Sequence, residues 1–422
     1  MKRRDIRHGD AGREAWRLLQ TGQFDAARAA FGELARRAPM NRRVHHALAA
    51  LIARAGRPQE AHALLHDFFT RCPVDPRSHE DGTEYRRVVR IRGFGGTRPI
   101  LKTDGNGRYR PSFRGGHFTL RYLLARRDFA MVTYTVVAGS RIDPATMPRH
   151  ALLINSIADP DSEGGSLKSL EGYLTGTGAR NVINRPENVW QTARDRNYQR
   201  LRDFRDLTFP RTVRGRFENA GPEEVEAWLR REGFALPVIL RRSGTQTGRT
   251  TRLIETREAL RALCKGGLSG EFYAIAFHNL RWRGSHYRKL RLFWIDGAFH
   301  PVVCHIDRVW NVHGGNRKTE MLGNRELMNE EMRFLDNWPD YVGARNADTL
   351  HRVAEATGLE FFGVDFDLDE DGRLFVFELN PAMRHSFDHA RAFPYKRPHD
   401  EAVTEAFTRM VESRLARPGA GG

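Results

Sequence analysis

The stretch that most limits how this chain can fold lies near its C-terminal end, in FFGVDFDLDEDGRLFVFELN, residues 361–380. FFGVDFDL alternates bulky and acidic residues with period two, and LFVFELN does nearly the same, so each reads as a strand. Between them DEDG is a tight-turn signal, with Gly372 able to take the positive φ such a turn needs. Strands joined by so short a turn pair antiparallel, which brings Asp365 beside Glu378 and Asn380. A surface hairpin with solvated acids is one reading. The neighbouring residues favour another, because Asp365 follows Gly-Val in an apolar strand and Glu378 stands between Phe377 and Leu379. A carboxylate buried there is costly unless it meets a cation. Three hard oxygen donors on adjacent strands suit Mg²⁺, which keeps several waters and shares its other positions with phosphate. We therefore expect Asp365, Glu378 and Asn380 to be metal ligands.

The chain upstream supplies cations and a flexible loop. FYAIAFHN and YRKLRLFWIDGAFHPVVCHI read as strands, and Lys289 and Arg291 fall on one face of the second. They are either solvated or placed to grip phosphate. PVIL runs into RRSGTQTGRTTRLIE, a Gly/Thr loop between two strands. Gly244 and Gly248 there allow backbone N–H groups to approach phosphate, and Thr245, Thr247, Thr250 and Thr251 add donors. An ordinary hairpin turn explains the same residues. It is not a Walker A loop, since neither Gly-Lys-Ser nor Gly-Lys-Thr follows and no helix opens after it. GFGGTRP near residue 93 is a poor dinucleotide fingerprint.

Further upstream, RRVVRIRGFG, GRYRPSFRGGHFTLRYLL and FAMVTYTVV read as strands. HALLINSIADP then leads through ADPDSEGGS into a helix around SLKSLEGYL and a short strand at NVIN, the cadence of an open α/β layer. Asp159 and Asp161 in that loop are expected to cap the helix, with coordination of a ligand as the other reading.

The first eighty residues repeat. Gly22, Ala27 and Pro39 recur as Gly56, Ala61 and Pro73, each 34 positions on. A 34-residue period, with small residues where two helices touch and a proline ending the second, resembles the tetratricopeptide repeat. Two repeats are fewer than such arrays need to stand alone. The helical arm is therefore expected to pack on the next domain or to receive a partner peptide; a cap without a ligand is the alternative.

Composition excludes several classes. Apolar residues make up 40% and charged residues 29% of the 422, as in soluble globular proteins. No run of 18 apolar residues exists, so no membrane span is expected. The three cysteines are scattered, without metal spacing, which points to a reduced cytoplasmic setting. The net charge of +17 raises the question of nucleic acid, but only seven of the 69 basic residues are Lys and the Arg are spread along the whole chain. That is a general Arg bias and not a focused patch, so phosphate-bearing ligands or acidic peptides are the expected partners and nucleic acid is not.

Taken together, residues from about 150 to 415 resemble the ATP-grasp superfamily of carboxylate–amine ligases, in the branch of ribosomal-protein glutamyl ligases and D-alanine–D-alanine ligases. The motifs are GVDFDLDEDGRLFVFELN, with Asp, then Glu thirteen residues on, then Glu-x-Asn; ATGLEFFGVD before it; NRPENVWQTARDR; and PVIL with its Gly/Thr loop. The resemblance implies an α+β ATP-grasp fold, in which two subdomains grip ATP behind an α/β pre-grasp domain. It implies that one or two Mg²⁺ ions are held by Asp365, Glu378 and Asn380. It implies ATP contacts at Arg196, Arg241, Thr245, Gly248, Ala276, Phe277 and Asn279, and charge stabilisation by Arg241, Lys289 and Arg291. The expected division is residues 1–80 for the helical repeats, 81–205 for a β-rich linker and pre-grasp domain, 206–415 for the catalytic domain and 416–422 for a disordered tail. Arg196 and Arg241 stand where the family carries lysines, which keeps the charge but changes the geometry. NPAMRH replaces the usual Asn-x-x-Pro-Gly, which alters the acyl-acceptor side. The activity implied is amide formation through an acylphosphate, on a peptide, protein or amino-acid carboxylate and an amine, with a protein partner for the repeats. A small-molecule kinase and a non-catalytic adaptor with a vestigial ATP site remain the alternatives.

Overall fold

The structure is a computed structural model and describes residues 9–75, 88–124, 129, 131–245, 248–315 and 317–416. The boundary expected after residue 80, Thr247, and residues 417–422 of the expected tail lie outside the described residues. Helix and strand are mixed, and the chain builds its layers in order.

Four helices come first: α1 (Asp10–Gln20), α2 (Phe24–Arg37), α3 (Arg42–Arg54) and α4 (Pro58–Arg71). The two turns that carry the repeated glycines match, with φ of +81° at both Gly22 and Gly56. Ala27 and Ala61 are fully buried, as close helix approach requires. These helices do not close their core alone. After β1 (Val88–Phe94), the hairpin of β2 (Arg98–Thr103) and β3 (Tyr109–Arg114) packs across α1 and α3. His46 stacks on Phe113 at 3.8 Å between ring centroids, and Phe24 meets Tyr109 edge-on at 4.9 Å. Phe94 and Val137 complete the same apolar cluster. The strand expected through residues 107–124 stops at Arg114. Beyond Gly115 and Gly116 the chain turns, and Leu120, Leu123 and Leu124 are buried as anchors of a turn.

The second layer is a parallel sheet. With β4 (Met131–Val137), β5 (Leu152–Asn155), α5 (Pro160–Thr177) and β6 (Val182–Ile183), its strand order is β4–β1–β5–β6. Asp159 caps α5, its side chain accepting from the Asp161 N–H at 3.0 Å. Short helices α6 (Pro186–Trp190) and α7 (Arg194–Leu201) and strand β7 (Leu207–Thr208) follow.

Residues 212–276 then form a unit with its own core. Strands β8 (Thr212–Ala220), β9 (Val238–Arg242), β10 (Thr251–Ile254) and β11 (Leu268–Ala276) pair antiparallel as β10–β9–β11–β8. Helices α8 (Pro222–Arg231) and α9 (Arg257–Leu263) cover one face. The apolar cluster between sheet and helices, centred on Trp228, Val238, Leu240 and Phe272, draws only on residues 213–276.

The largest sheet holds the acids. Its order is β12 (Arg281–Trp282), β13 (His286–Ile295), β15 (Phe361–Leu368), β16 (Leu374–Asn380) and β7, with β14 (Ala298–Asp307) paired to β13. Between β14 and β15 lie α10 (Arg317–Glu320), α11 (Arg325–Asp336), α12 (Trp338–Val342) and α13 (Ala344–Thr357); α14 (Arg397–Leu415) closes the described chain. The β15–β16 hairpin turns at Gly372, φ +72°. Phe361 anchors it, stacking on Phe293 at 5.4 Å and meeting Phe407 of α14 edge-on at 5.1 Å. Burying each such ring contributes about 1.5–3 kcal/mol, so the strands that carry the acids are held rigidly from behind. Among the described residues no helix is long and apolar enough to cross a membrane.

Candidate functional site

Strand register sets the site. Arg291 of β13 lies opposite Asp365 of β15, and Asp365 lies opposite Glu378 of β16, so three charged side chains form one row across three strands. Arg291 donates to both Asp365 oxygens, from Nε at 2.6 Å and Nη2 at 2.8 Å. Lys289, two residues back on the same face, stands 3.5 Å from Asp365 and donates to the Val312 carbonyl at 2.7 Å. Glu378 pairs with Arg194 at 2.6 Å and accepts from the Asn380 amide at 2.9 Å.

These pairs fix the charge states. Burial alone would raise the Asp365 pKa, but Arg291 and Lys289 outweigh it and hold the carboxyl below its usual range. Burial acts the same way on Glu378, and Arg194 and Arg241 overcome it, pulling the group down to about 2. Desolvation lowers Arg241 to about 10, with Arg194 beside it adding to the effect. Both acids are therefore ionised at neutral pH and the guanidinium of Arg241 keeps its charge.

The row lines a cleft of about 230 Å³ between the 212–276 unit and the large sheet. Arg194, Arg241, Lys289 and Arg291 line it with Asp365 and Glu378, four cations against two carboxylates, while a fifth, Arg288, is taken up by Asp367 and Glu330. The rest of the lining is largely apolar and aromatic, including Ile239, Ile275, Ala276, Phe277 and Trp310. A smaller chamber continues past Arg194, Arg241 and Glu378 to Asn197, Thr245 and Asn380.

Most of the residues expected from sequence line the cleft or the smaller chamber, and Arg196 and Asn279 line neither. Gly248, Ala276 and Phe277 line the main cleft; Thr245 lines the smaller chamber, its carbonyl accepting from Arg241 Nη2 at 2.5 Å. Asn380 also lines that chamber and not the main cleft, its amide oxygen accepting from the Ala382 N–H at 2.6 Å. Asn279 lies in an outer groove, where its amide oxygen accepts from the Tyr287 hydroxyl at 2.8 Å. Arg196 does not line the cleft: it stacks over Trp190 at 4.2 Å and donates to the Trp190 carbonyl. Arg194, two residues earlier on the same helix, lines the cleft instead. Two residues along a helix turn the side chain by roughly 200°, so only one of the two can face inward. The inward face was legible as Arg194, Asn197 and Leu201, spaced i, i+3 and i+7, and Asn197 and Leu201 are both buried.

Two carboxylates and an amide oxygen suit a hard divalent cation in donor type. Among the described residues no group of three or more His, Cys, Asp or Glu side chains is placed to hold a metal. Both acids are already paired with guanidinium groups, so Asp365, Glu378 and Asn380 fit such a cation in donor type alone.

The cleft is roofed where two loops meet. Asn311 reaches Gly248, and a Cβ built on Gly248 would fall 2.1 Å from His313 Nε2. His313 is exposed and can swing aside. Gly248→Ala is therefore expected to cost less than about 1.5 kcal/mol of stability, and adding His313→Ala to recover most of it, in a double-mutant cycle read by chemical denaturation.

No family model matches the chain, and no curated protein matches it. Solved structures do. D-alanine–D-alanine ligase from Bacillus anthracis matches at TM-score 0.46 and 11% identity, covering 78% of this chain and 98% of that one. A RimK domain ATP-grasp protein from Sphaerobacter thermophilus matches at TM-score 0.40 and 14% identity, covering 74% and 98%. The ATP-grasp ligase PsnB, complexed with minimal precursor, Mg and ADP, matches at TM-score 0.38 and 15% identity, covering 76% and 99%. The structural neighbours are ATP-grasp ligases. Scores this low leave the chemistry to be argued from the cleft itself.

Proposed function

We propose that this chain is an ATP-dependent carboxylate–amine ligase of the ATP-grasp type, forming an amide on a peptide, protein or amino-acid substrate. One observation carries the reading. A single cleft is lined both by apolar and aromatic side chains suited to a flat base and by four cations beside two ionised carboxylates. That charge balance attracts a polyphosphate and repels a free metal ion.

In this reading Ala276 and Phe277 lie against the adenine, and Arg194 and Arg241 orient the phosphates. The substrate carboxylate attacks the γ-phosphorus, the bond to the β,γ-bridging oxygen breaks, and ADP leaves. The amine then attacks the acyl carbon of the acylphosphate, phosphate leaves, and the amine proton passes to solvent. Lys289, Arg291 and Arg241 meet the negative charge that develops. Asp365, Glu378 and Asn380 would hold Mg²⁺, which when bound neutralises phosphate oxygens. The proposed organisation is a tetratricopeptide-like arm over residues 1–80, a linker and pre-grasp region over 81–205 and a catalytic domain over 206–415, in the cytoplasm.

The packing of the β2–β3 hairpin against α1 and α3 favours an arm built into the enzyme over a free adaptor. Whether a kinase or a ligase acts here is tested with hydroxylamine. Full-length chain supplied with ATP, Mg²⁺ and peptide or amino-acid pools is expected to yield hydroxamate with ADP in equal amount. ADP release matched by a phosphorylated alcohol, without hydroxamate, would favour the kinase.

A further inference from the structure

The 212–276 unit has a core of its own, and a partly buried carboxylate beside the parallel sheet holds on to it. Asp161 stands in the first turn of α5, with its side chain 10% exposed. It accepts from Arg214 Nη2 of β8 at 2.8 Å, from the Tyr273 hydroxyl of β11 at 2.8 Å and from the Gly244 N–H at 3.3 Å. All three donors belong to the 212–276 unit. Arg214 is held in turn by Asp195 of α7 at 3.0 Å and by Glu271 at 3.1 Å. Capping accounts for none of these contacts, since Asp159 is the cap.

The third contact reaches the cleft. Gly244 lies in the turn after β9, and the next residue, Thr245, offers its carbonyl to Arg241. Asp161 thus fixes the turn, the turn fixes the Arg241 guanidinium, and Arg241 faces Glu378 across the cleft. An independently packed unit tied down by polar contacts moves as a body when those contacts break.

We propose that Asp161 is a positioning residue: it latches the turn after β9 in place over the cleft and so sets where Arg241 meets its ligand. The consequence for nucleotide rests on the ligase reading, but the latch itself does not. A Cβ built on Gly244 lies 3.6 Å from the Ser162 Cβ, within the range a disulfide spans.

The test uses full-length chain carrying Ser162→Cys and Gly244→Cys, with and without Asp161→Ala. Each single-cysteine variant serves as a control, Gly244→Cys also for backbone strain, because Gly244 sits at φ +64°. Without nucleotide the pair is expected to cross-link under mild oxidant, and Asp161→Ala to slow cross-linking at least about tenfold, with Asp161→Asn recovering much of the rate because its amide oxygen still accepts from Gly244. The oxidised pair, with the turn locked where Asp161 holds it, should keep the ADP–Mg²⁺ affinity of the reduced pair, Asp161→Ala should lower that affinity at least about fivefold, and oxidation should restore it. Cross-linking at an unchanged rate in Asp161→Ala overturns the latch. So does an Asp161→Ala pair whose ADP affinity is no higher cross-linked than reduced. Failure of the reduced protein to bind ADP overturns the ligase reading instead, and leaves the cross-linking rates to decide the latch.

Discussion

Glu378→Gln is expected to lower ATP turnover on the order of 10²–10³-fold while leaving metal-free nucleotide binding intact or tighter. The loss follows from removing one hard anionic donor where Mg²⁺ would neutralise phosphate charge, an effect worth several kcal/mol. The retained binding follows from the charge balance, since the substitution leaves Arg194, Arg241, Lys289 and Arg291 facing Asp365 alone. A Gln can still accept from Arg194, so the fold should hold. The two readouts separate a metal ligand from a structural acid. A purely structural Glu378 would lose stability and nucleotide binding together, with no change in the Mg²⁺ dependence of what remained.

Asp365→Ala is expected to destabilise the protein by about 3–5 kcal/mol, the usual cost of leaving a buried charge without its partner. The Asp365 side chain is 4% exposed, and the Arg291 and Lys289 beside it are 20% and 18% exposed. Removing the acid strands both cations. Chemical denaturation of wild type and variant measures the loss, and adding Arg291→Met should recover a large part of it. The same argument predicts that pyrophosphate raises the melting temperature of Asp365→Ala more than that of wild type. Equal shifts would mean that these cations do not face the ligand.

The legible part of this protein was the part governed by alternation. That Asp365 comes near Glu378 and Asn380 followed from the short turn, and Lys289 and Arg291 from period two on β13; what alternation did not show is the bulge at Phe377, which sets Glu378 opposite Asp365 where an unbroken register would set it opposite Val364. Arg196 lies outside the cleft because a motif gives the order of residues and not the side of a helix; Arg194, Asn197 and Leu201 carried that information as a spacing. The pairing of acids with guanidinium groups was hidden, since which cation meets which acid depends on strand order across the sheet. The latch at Asp161 was hidden for a related reason. Its partners, Arg214, Gly244 and Tyr273, are far away in the chain and meet it only when two layers close. The strand expected through residues 107–124 failed because Gly115 and Gly116 turn the chain after Arg114, and the apolar residues beyond them anchor a turn.

The central claim is that the cleft is a site for a magnesium-bound nucleoside triphosphate, entered by the anion and completed by the metal. Calorimetric titration of the wild-type full-length chain tests it most directly, with Mg²⁺ alone, with a non-hydrolysable ATP analogue alone, and with both. The account predicts no measurable heat from Mg²⁺ alone, one nucleotide bound per chain without metal, and binding at least about tenfold tighter when both are present. Absence of nucleotide binding under either condition, or tight binding of Mg²⁺ by itself, would contradict it.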